Sequence, residues 1–222
     1  MISGIFFDFG ETLVHCRPAL ETWMKTLNRL GCDVELNDLS RTLEEADVRY
    51  KKEIDRFLGR MAEFWDAYDR FVLVRLGIID HDRQKRREVA RVFREELCVT
   101  FPDTIEALDA LSNQGLKLGI ISNNTDDLLD YLNSLDLTEY FDSVTYSQEA
   151  GARKPDPRIF QVALTRLGLQ PSEAAHVGDR YEQDVVGARA ARLNPILLDR
   201  ENLHREVDCL RITDLREIQR MI

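Results

Sequence analysis

Residues 5–13 read Ile5-Phe6-Phe7-Asp8-Phe9-Gly10-Glu11-Thr12-Leu13. An apolar run that ends in an aspartate and a glycine turn is typical of a buried strand in a parallel sheet. Ligands of such sheets bind beyond the carboxyl ends of the strands. The sequence therefore places the Asp8 carboxylate where it can meet a ligand, although an aspartate at this point can also simply begin the turn.

Downstream of residue 100, apolar runs alternate with amphipathic segments. We predict strands over residues 116–121, 143–146, 175–177 and 195–198, with a short one near 209–212. A predicted helix follows each of the strands over 116–121, 143–146 and 175–177, and one further helix closes the chain from Thr213-Asp214. This alternation predicts an α/β fold with a doubly wound parallel sheet, in the manner of a Rossmann fold.

Residues 15–98 have helical periodicity instead. Apolar residues follow the spacing of one helix face at Leu20, Trp23, Met24, Leu27 and Leu30. Three more helices are predicted, from Asn37 to Gly59, over 61–76 and over 82–97. We expect residues 1–14 and 99–222 to form an α/β core, with 15–98 inserted after the first strand as a domain of four helices.

Charge and composition narrow the function classes. The chain has 222 residues and a net charge of −10, whereas 15–98 contain 17 basic and 17 acidic residues, so the core carries the excess acid. An acidic core argues against nucleic acid as a partner. No apolar run approaches the ~20 residues of a membrane span, and no signal peptide is evident, which predicts a cytoplasmic protein without a membrane partner.

The spacing of the cysteines also favours a cytoplasmic location. The four cysteines, Cys16, Cys32, Cys98 and Cys209, are widely spaced, and none of them forms a C-x-x-C pair. We expect reduced thiols in place of a disulfide or zinc framework.

Polar side chains follow four of the predicted strands. In order along the chain they are Asp8, Ser122 with Asn123, Lys154, and Asp179 with Asp184. The carboxyl ends of parallel strands meet at one edge, so these side chains should lie together. Clustered carboxylates repel one another unless a cation joins them, and oxygen ligands suit Mg²⁺. A lysine and a serine hydroxyl beside the cation would receive a phosphoryl group.

The motifs D-F-x-x-T-L, I-I-S-N, K-P-D-P-R-I-F and H-V-G-D-x-x-x-x-D-V-x-G-A occur in this order. The chain thereby resembles the haloacid dehalogenase superfamily over its whole length, and 15–98 lie where that family inserts a helical cap of the C1 type. The resemblance implies a Mg²⁺-dependent hydrolase, a phosphatase that acts on a small phosphorylated metabolite through a covalent aspartyl intermediate.

The resemblance also implies roles for single residues. Asp8 matches the nucleophile, and Lys154 matches the lysine that neutralises it. Ser122 matches the residue that hydrogen-bonds the transferring group, with Asn123 beside it. Thr12 matches the threonine of the first motif, and we count it with Ser122, Asn123 and Lys154 among the substrate-binding residues.

The turn after the first strand contributes to the implied metal site, and it also contains one difference from the family pattern, at Gly10. The resemblance implies a Mg²⁺ site formed by Asp8, Asp179, Asp184 and the backbone carbonyl of Gly10. Family phosphatases have a second aspartate, the general acid and base, at the position of Gly10, where glycine offers no side chain. Glu11 is the nearest carboxylate. The sequence leaves open whether Glu11 takes over the role of the missing acid and base, because neighbouring side chains in a turn point in different directions. We expect a left-handed backbone at Gly10.

Three functions therefore compete. The first is the phosphatase, the second a degenerate member that binds a ligand or partner with little turnover, and the third a 2-haloacid dehalogenase. That subgroup carries tyrosine at the Gly10 position and needs no metal, so the carboxylates Asp179 and Asp184 disfavour it.

We interpret His176 as a core histidine and His15 as part of the linker to the cap. The substrate and the oligomeric state are left open by the sequence.

Overall fold

The computed structural model describes residues 2–50, 61–78, 83–204 and 206–221. Contacts divide the chain into two units. The α/β unit comprises Met1–His15, Thr100–Leu128 and Asp136–Ile222, and the helical unit comprises Cys16–Val99 and Leu129–Leu135. The limits near residues 15 and 99 lie one residue from those expected. The grouping of 129–135 with the helical unit differs from the expectation.

A six-stranded parallel sheet forms the centre of the α/β unit. Its strands lie in the order β5-β4-β1-β6-β7-β8. Their bounds are β1 Gly4–Phe7, β4 Lys117–Ser122, β5 Ser143–Tyr146, β6 Ala174–Gly178, β7 Asn194–Leu198 and β8 Leu210–Ile212, while β2 Val14–Cys16 and β3 Cys98–Thr100 form a separate pair. All pairs in the larger sheet are parallel. The predicted doubly wound α/β fold is confirmed.

The helices of the α/β unit connect these strands. They are α5 Thr104–Asn113, α6 Asp127–Ser134 (of which residues 129–134 belong to the helical unit), α7 Ser147–Ala150, α8 Pro157–Leu167 and α9 Gly187–Ala190. Helix α8 begins as predicted, because the Asp156 side chain accepts a hydrogen bond from the backbone N–H of Arg158 and proline occupies the first turn. The closing segment Leu215–Arg220 is a 3₁₀ helix.

The four predicted helices of the inserted segment are present: α1 Ala19–Arg29, α2 Leu36–Tyr50, α3 Met61–Arg75 and α4 Arg83–Leu97. Their apolar faces share one core, which includes Trp23, Leu27, Leu39, Phe64 and Leu73. The predicted end of the second helix at Gly59 and start of the fourth at Asp82 lie outside the described residues. Among the helices that the structure describes, none combines the length and apolarity needed to cross a lipid bilayer.

Cys16 and Cys98 form a disulfide, which corrects the expectation of four reduced thiols. Cys16 ends β2 and Cys98 begins β3, and these two strands pair, so the Cα atoms of the two cysteines lie 4.2 Å apart although they are 82 positions apart in the sequence. The prediction failed because spacing along the chain does not reveal pairing between distant strands. Cys32 and Cys209 are free thiols.

Strand β1 lies in the middle of the sheet and has no exposed residue. Phe6 of β1 pairs with Gly119 of β4, and a Cβ atom at Gly119 would lie 2.7 Å and 2.8 Å from two carbons of the Phe6 ring. Such distances are shorter than van der Waals contact. The ring of Phe6 therefore occupies the space that a side chain at position 119 would need, and this packing fixes the strand from which Asp8 emerges.

We expect Gly119→Ala to lower the free energy of unfolding by about 1–3 kcal/mol, as overpacking of a core does. Gly10→Ala is the matched control and should be near neutral, because no atom lies within 4 Å of a Cβ at Gly10. Adding Phe6→Leu to Gly119→Ala should recover part of the loss in a double-mutant cycle measured by urea unfolding. Strictly additive losses would show that Gly119 is constrained by something other than the Phe6 ring.

Candidate active site

Three neighbouring strands bring the predicted polar residues together. Asp8 follows β1, Ser122 ends β4 and Asp179 follows β6, and these strands are adjacent in the order β4-β1-β6. Their carboxyl ends therefore share one edge of the sheet, where α/β proteins bind ligands. Lys154 and Asp184 come from the segments before α8 and after β6, and they reach the same edge.

The ammonium group of Lys154 lies between two carboxylates. Its Nζ donates to Oδ1 of Asp8 at 2.7 Å and to Oδ1 of Asp184 at 2.6 Å. The side chain is 2% exposed. Burial lowers the pKa of Lys154, but Asp8 and Asp184 more than offset this, so the pKa lies above its ordinary value and the ammonium stays charged. Lys154 thus forms an ion pair with Asp8, the residue that the resemblance marks as the nucleophile.

Asp184 is held by three donors. Its Oδ1 also accepts from Nε2 of His176 at 2.9 Å, and its Oδ2 accepts from the backbone N–H of Arg180 at 3.0 Å. Burial raises the pKa of Asp184, but Lys154 and His176 outweigh it and hold the pKa below its usual range. Gly178 makes this approach possible, because a Cβ there would lie 2.2 Å from Cγ of Asp184.

His176 was predicted as a core histidine, and it is fully buried in β6. The sequence did not reveal its hydrogen bond to Asp184. Burial lowers the pKa of His176 in spite of that carboxylate, so the ring is neutral and its Nε2 carries the proton donated to Asp184. The spacing of eight residues between the two gives no signal of contact, because His176 lies in β6 whereas Asp184 lies in the π-helical turn Tyr181–Val186, which the sequence does not reveal.

Asn123 holds the backbone of Lys154. Its Oδ1 accepts from the Lys154 N–H at 2.7 Å, and its Nδ2 donates to the Lys154 carbonyl at 3.0 Å and to Oε1 of Gln183 at 3.1 Å. Both amide hydrogens are therefore used within the protein. The Asn123 side chain therefore positions the lysine backbone, and its two amide hydrogens are not free for a substrate in this structure.

Thr12 and Ser122 differ in access to the site edge. Thr12 is fully buried, and its hydroxyl has no hydrogen-bond partner among the described residues. Its carbonyl accepts from Nη2 of Arg200 at 2.8 Å. A side chain without exposed surface does not touch a substrate here, so the structure does not support Thr12 as a substrate ligand. Ser122, at the end of β4, is 6% exposed.

The carboxylates of Asp8, Asp179 and Asp184 form a group that fits a metal ion. One oxygen from each lies within 4.8 Å of the others. Oδ1 of Asp179 is buried without a hydrogen-bond partner among the described residues. Burial, with added repulsion from Asp8 and Asp184, raises the pKa of Asp179 to about 6. A divalent cation would neutralise this repulsion and pair the orphaned oxygen, so the residues suit Mg²⁺.

The turn after β1 differs from the expectation. The left-handed residue is Glu11, with φ of 57°, whereas Gly10 is outside that region and has open space where a Cβ would stand. Oε2 of Glu11 lies 3.1 Å from Nδ1 of His15. Position 10 could therefore hold a side chain, and the glycine there is not required by the backbone.

A cleft of about 420 Å³ opens within the α/β unit beside Asp179. Its lining mixes charged, aromatic and aliphatic side chains: Glu11, His15, Phe101, Asp179, Leu198, Asp199, Arg200, Glu201, Leu203 and His204. Two of the charged residues are engaged elsewhere. Nη1 of Arg200 donates to Oδ2 of Asp103 at 2.8 Å, and Oδ2 of Asp199 accepts from Nε of Arg211 at 2.8 Å.

Known proteins resemble this chain over most of its length. A family model described as haloacid dehalogenase-like hydrolase matches residues 2–192. Haloacid dehalogenase-like hydrolase domain-containing protein 3 of Bos taurus is 45% identical over 207 residues, covering 86% of this chain and 80% of that protein. Glyceraldehyde 3-phosphate phosphatase of Methanothermobacter thermautotrophicus is 28% identical over 213 residues, covering 94% and 90%.

A solved structure supports the fold. The 2-haloacid dehalogenase from Pseudomonas syringae pv. Tomato DC3000 superimposes with a TM-score of 0.70 at 24% identity, covering 99% of this chain and 97% of that one. At this identity the likeness shows the fold alone.

The clustered carboxylates should make stability depend on pH and on Mg²⁺. The pKa of Asp179 is raised from 3.8 to about 6 in the folded state, so ionising it between these values lowers the stability of the metal-free protein. Asp179→Asn removes this loss. We expect the variant to exceed the wild type in Tm by roughly 2–4 °C above pH 6, and by much less near pH 4.

Magnesium should reverse the order, because it binds the folded wild type and stabilises it by mass action. Asp136→Asn is a matched control, since Asp136 is exposed and its left-handed backbone suits asparagine. An equal rise in Tm with Mg²⁺ in the wild type and in Asp179→Asn would rule out Asp179 as a metal ligand.

Proposed function

We propose that this chain, which belongs to the haloacid dehalogenase-like hydrolases, is a Mg²⁺-dependent phosphatase that transfers a phosphoryl group from a small metabolite to Asp8. The contact that carries this proposal is the buried ion pair between Lys154 and Asp8 beside the carboxylates of Asp179 and Asp184. The proposed nucleophile, the lysine that balances its charge and the metal-binding carboxylates all lie at the same edge of the sheet. The phosphatase name of the archaeal relative supports this substrate class.

The ion pair selects the attacking atom. Lys154 binds Oδ1 of Asp8, so Oδ2 is the oxygen that attacks phosphorus. The bond between phosphorus and the ester oxygen breaks as the new bond forms, and the alcohol leaves with a proton. Water then attacks the phosphorus of the aspartyl phosphate, releases inorganic phosphate and restores the Asp8 carboxylate.

Positive charge and hydrogen bonds would stabilise the phosphoryl oxygens during both steps. Lys154 supplies a fixed ammonium, and the Ser122 hydroxyl at the end of β4 donates to a phosphoryl oxygen. Mg²⁺ held by Asp8, Asp179 and the Gly10 carbonyl, with Asp184 in support, would neutralise charge on the phosphoryl group. Asn123 contributes by fixing the lysine backbone, and this contribution needs no contact with substrate.

Two other functions stay as alternatives. Gly10 offers no acid to the leaving group, which favours a degenerate member that binds a ligand or partner with little turnover. A 2-haloacid dehalogenase shares the fold, but it has no use for the metal-binding carboxylates of Asp179 and Asp184. We favour the phosphatase because its mechanism gives each member of the cluster a task. Under this proposal the protein acts in the cytoplasm, without a nucleic-acid or membrane partner.

The direct test is phosphate release from p-nitrophenyl phosphate and from a panel of metabolite phosphomonoesters. Hydrolysis should require Mg²⁺, stop with EDTA and return when Mg²⁺ exceeds the chelator. Asp8→Asn should lower kcat by at least about 1,000-fold, as loss of a catalytic nucleophile does, while the variant remains folded at the assay temperature. Asp136→Asn makes the same chemical change at an exposed position and should keep wild-type rates.

Two results would contradict the proposal. Turnover that survives EDTA would remove the metal from the mechanism, and turnover that survives Asp8→Asn would remove the nucleophile. Binding of phosphoesters with no hydrolysis under any condition would support the degenerate alternative.

A further inference from the structure

The pair formed by Glu11 and His15 lies in the turn where the usual acid is missing. We propose that His15, oriented by Glu11, supplies the general acid and base that Gly10 cannot. This inference rests on the proposed phosphatase function and adds a catalytic residue to it. The sequence treated His15 as a plain linker residue, and its hydrogen bond to Glu11 is what changes that interpretation.

The hydrogen bond fixes which nitrogen of His15 exchanges protons. Nδ1 lies 3.1 Å from Oε2 of Glu11, and a carboxylate only accepts, so Nδ1 carries a hydrogen in the pair. Nε2 is then the nitrogen that gives and takes the proton. A carboxylate that holds an imidazole in one tautomer is the arrangement of serine hydrolases, in which the histidine does the proton transfer.

Two neighbours define the orientation of the ring. The left-handed backbone of Glu11, with φ of 57°, places its carboxylate beside a residue four positions later. The second neighbour is Phe101, whose ring packs at a tilt against the His15 ring, with 6.1 Å between the two ring centroids. Non-glycine residues adopt such a backbone at a cost, and strain of this kind is concentrated at functional sites.

The cleft connects this pair to the nucleophile. Glu11, His15 and Asp179 all line it, and a carboxylate oxygen of Asp179 lies within 4.8 Å of one from Asp8. Asp179 thus lies both at the nucleophile and on the cleft wall, so a phosphoester held at Asp8 whose alcohol extended into the cleft would bring its ester oxygen toward His15. The other charged or titratable groups that line the cleft are Asp199, Arg200, Glu201 and His204.

His15 suits the role better than the other histidine of the cleft. Within the described part of the chain, no hydrogen bond holds the ring of His204, whose backbone N–H donates to Asp199 at 2.8 Å. Arg200 is committed to Asp103, and its guanidinium carbon lies 3.8 Å from the centroid of the Phe101 ring. A proton donor needs a fixed direction, and of the two histidines that line the cleft, His15 is the one whose ring is held by a hydrogen bond among the described residues.

The protons balance over the two steps. In the first, Oδ2 of Asp8 bonds to phosphorus, the ester bond breaks, and the departing oxygen takes the proton from Nε2 of the imidazolium of His15. In the second, neutral His15 takes a proton from water as the water oxygen bonds to phosphorus. The bond between phosphorus and Asp8 breaks, phosphate leaves, and His15 is charged again for the next cycle.

The test compares leaving groups in His15→Asn. Glycerol 3-phosphate has a leaving group that needs a proton, whereas nitrophenolate needs little. We expect kcat/KM to fall about 100-fold for glycerol 3-phosphate and no more than about 3-fold for p-nitrophenyl phosphate. His204→Asn should change both substrates by one common factor.

A rescue makes the assignment specific. Position 10 has room for a side chain, so Gly10→Asp in the His15→Asn background should restore most of the lost activity on glycerol 3-phosphate. Glu11→Gln should show a smaller loss in the same direction, and it serves if His15→Asn fails to fold. Equal losses on both substrates, or none, would overturn the role of His15 and leave the phosphatase standing. A wild type inactive on both substrates would overturn both.

Discussion

The ammonium of Lys154 between two buried carboxylates is the interaction on which this site depends. Without it, Asp8 and Asp184 would bring like charges together in a medium where each costs several kcal/mol to bury. Asn123 fixes the lysine backbone from the end of β4, and Gly178 makes room for Asp184. Folding of this edge and preparation of the nucleophile are thus one event.

The sequence predicted the parts of the site that follow from periodicity. Apolar runs located β1, β4 and β6, and the rule for parallel sheets brought Asp8, Ser122 and Asp179 to one edge. It did not predict where single side chains point. The hydrogen bonds of Asn123 and the left-handed backbone at Glu11 are set by the geometry of turns, which residue identity alone does not fix.

Long-range pairing was the other limit. The disulfide between Cys16 and Cys98 exists because β2 and β3 pair, and a three-residue strand gives no sequence signal of its partner. The turn after β1 likewise shows that the function of a site cannot be judged from the motif alone. A family motif with glycine at position 10 suggests a lost acid, whereas the structure offers Glu11 and His15 on the wall of the adjoining cleft.

The central claim is that Asp8 carries the phosphoryl group. The most direct measurement is acid quenching during turnover, followed by peptide mass mapping, with a parallel reaction in water enriched in heavy oxygen. We predict a phosphoryl adduct on the peptide that contains Asp8, and heavy oxygen in the released phosphate with none in the Asp8 carboxylate. The account would be contradicted if no adduct formed on that peptide. It would also be contradicted by heavy oxygen in the Asp8 carboxylate, which results when water attacks the carboxyl carbon of Asp8 and not phosphorus.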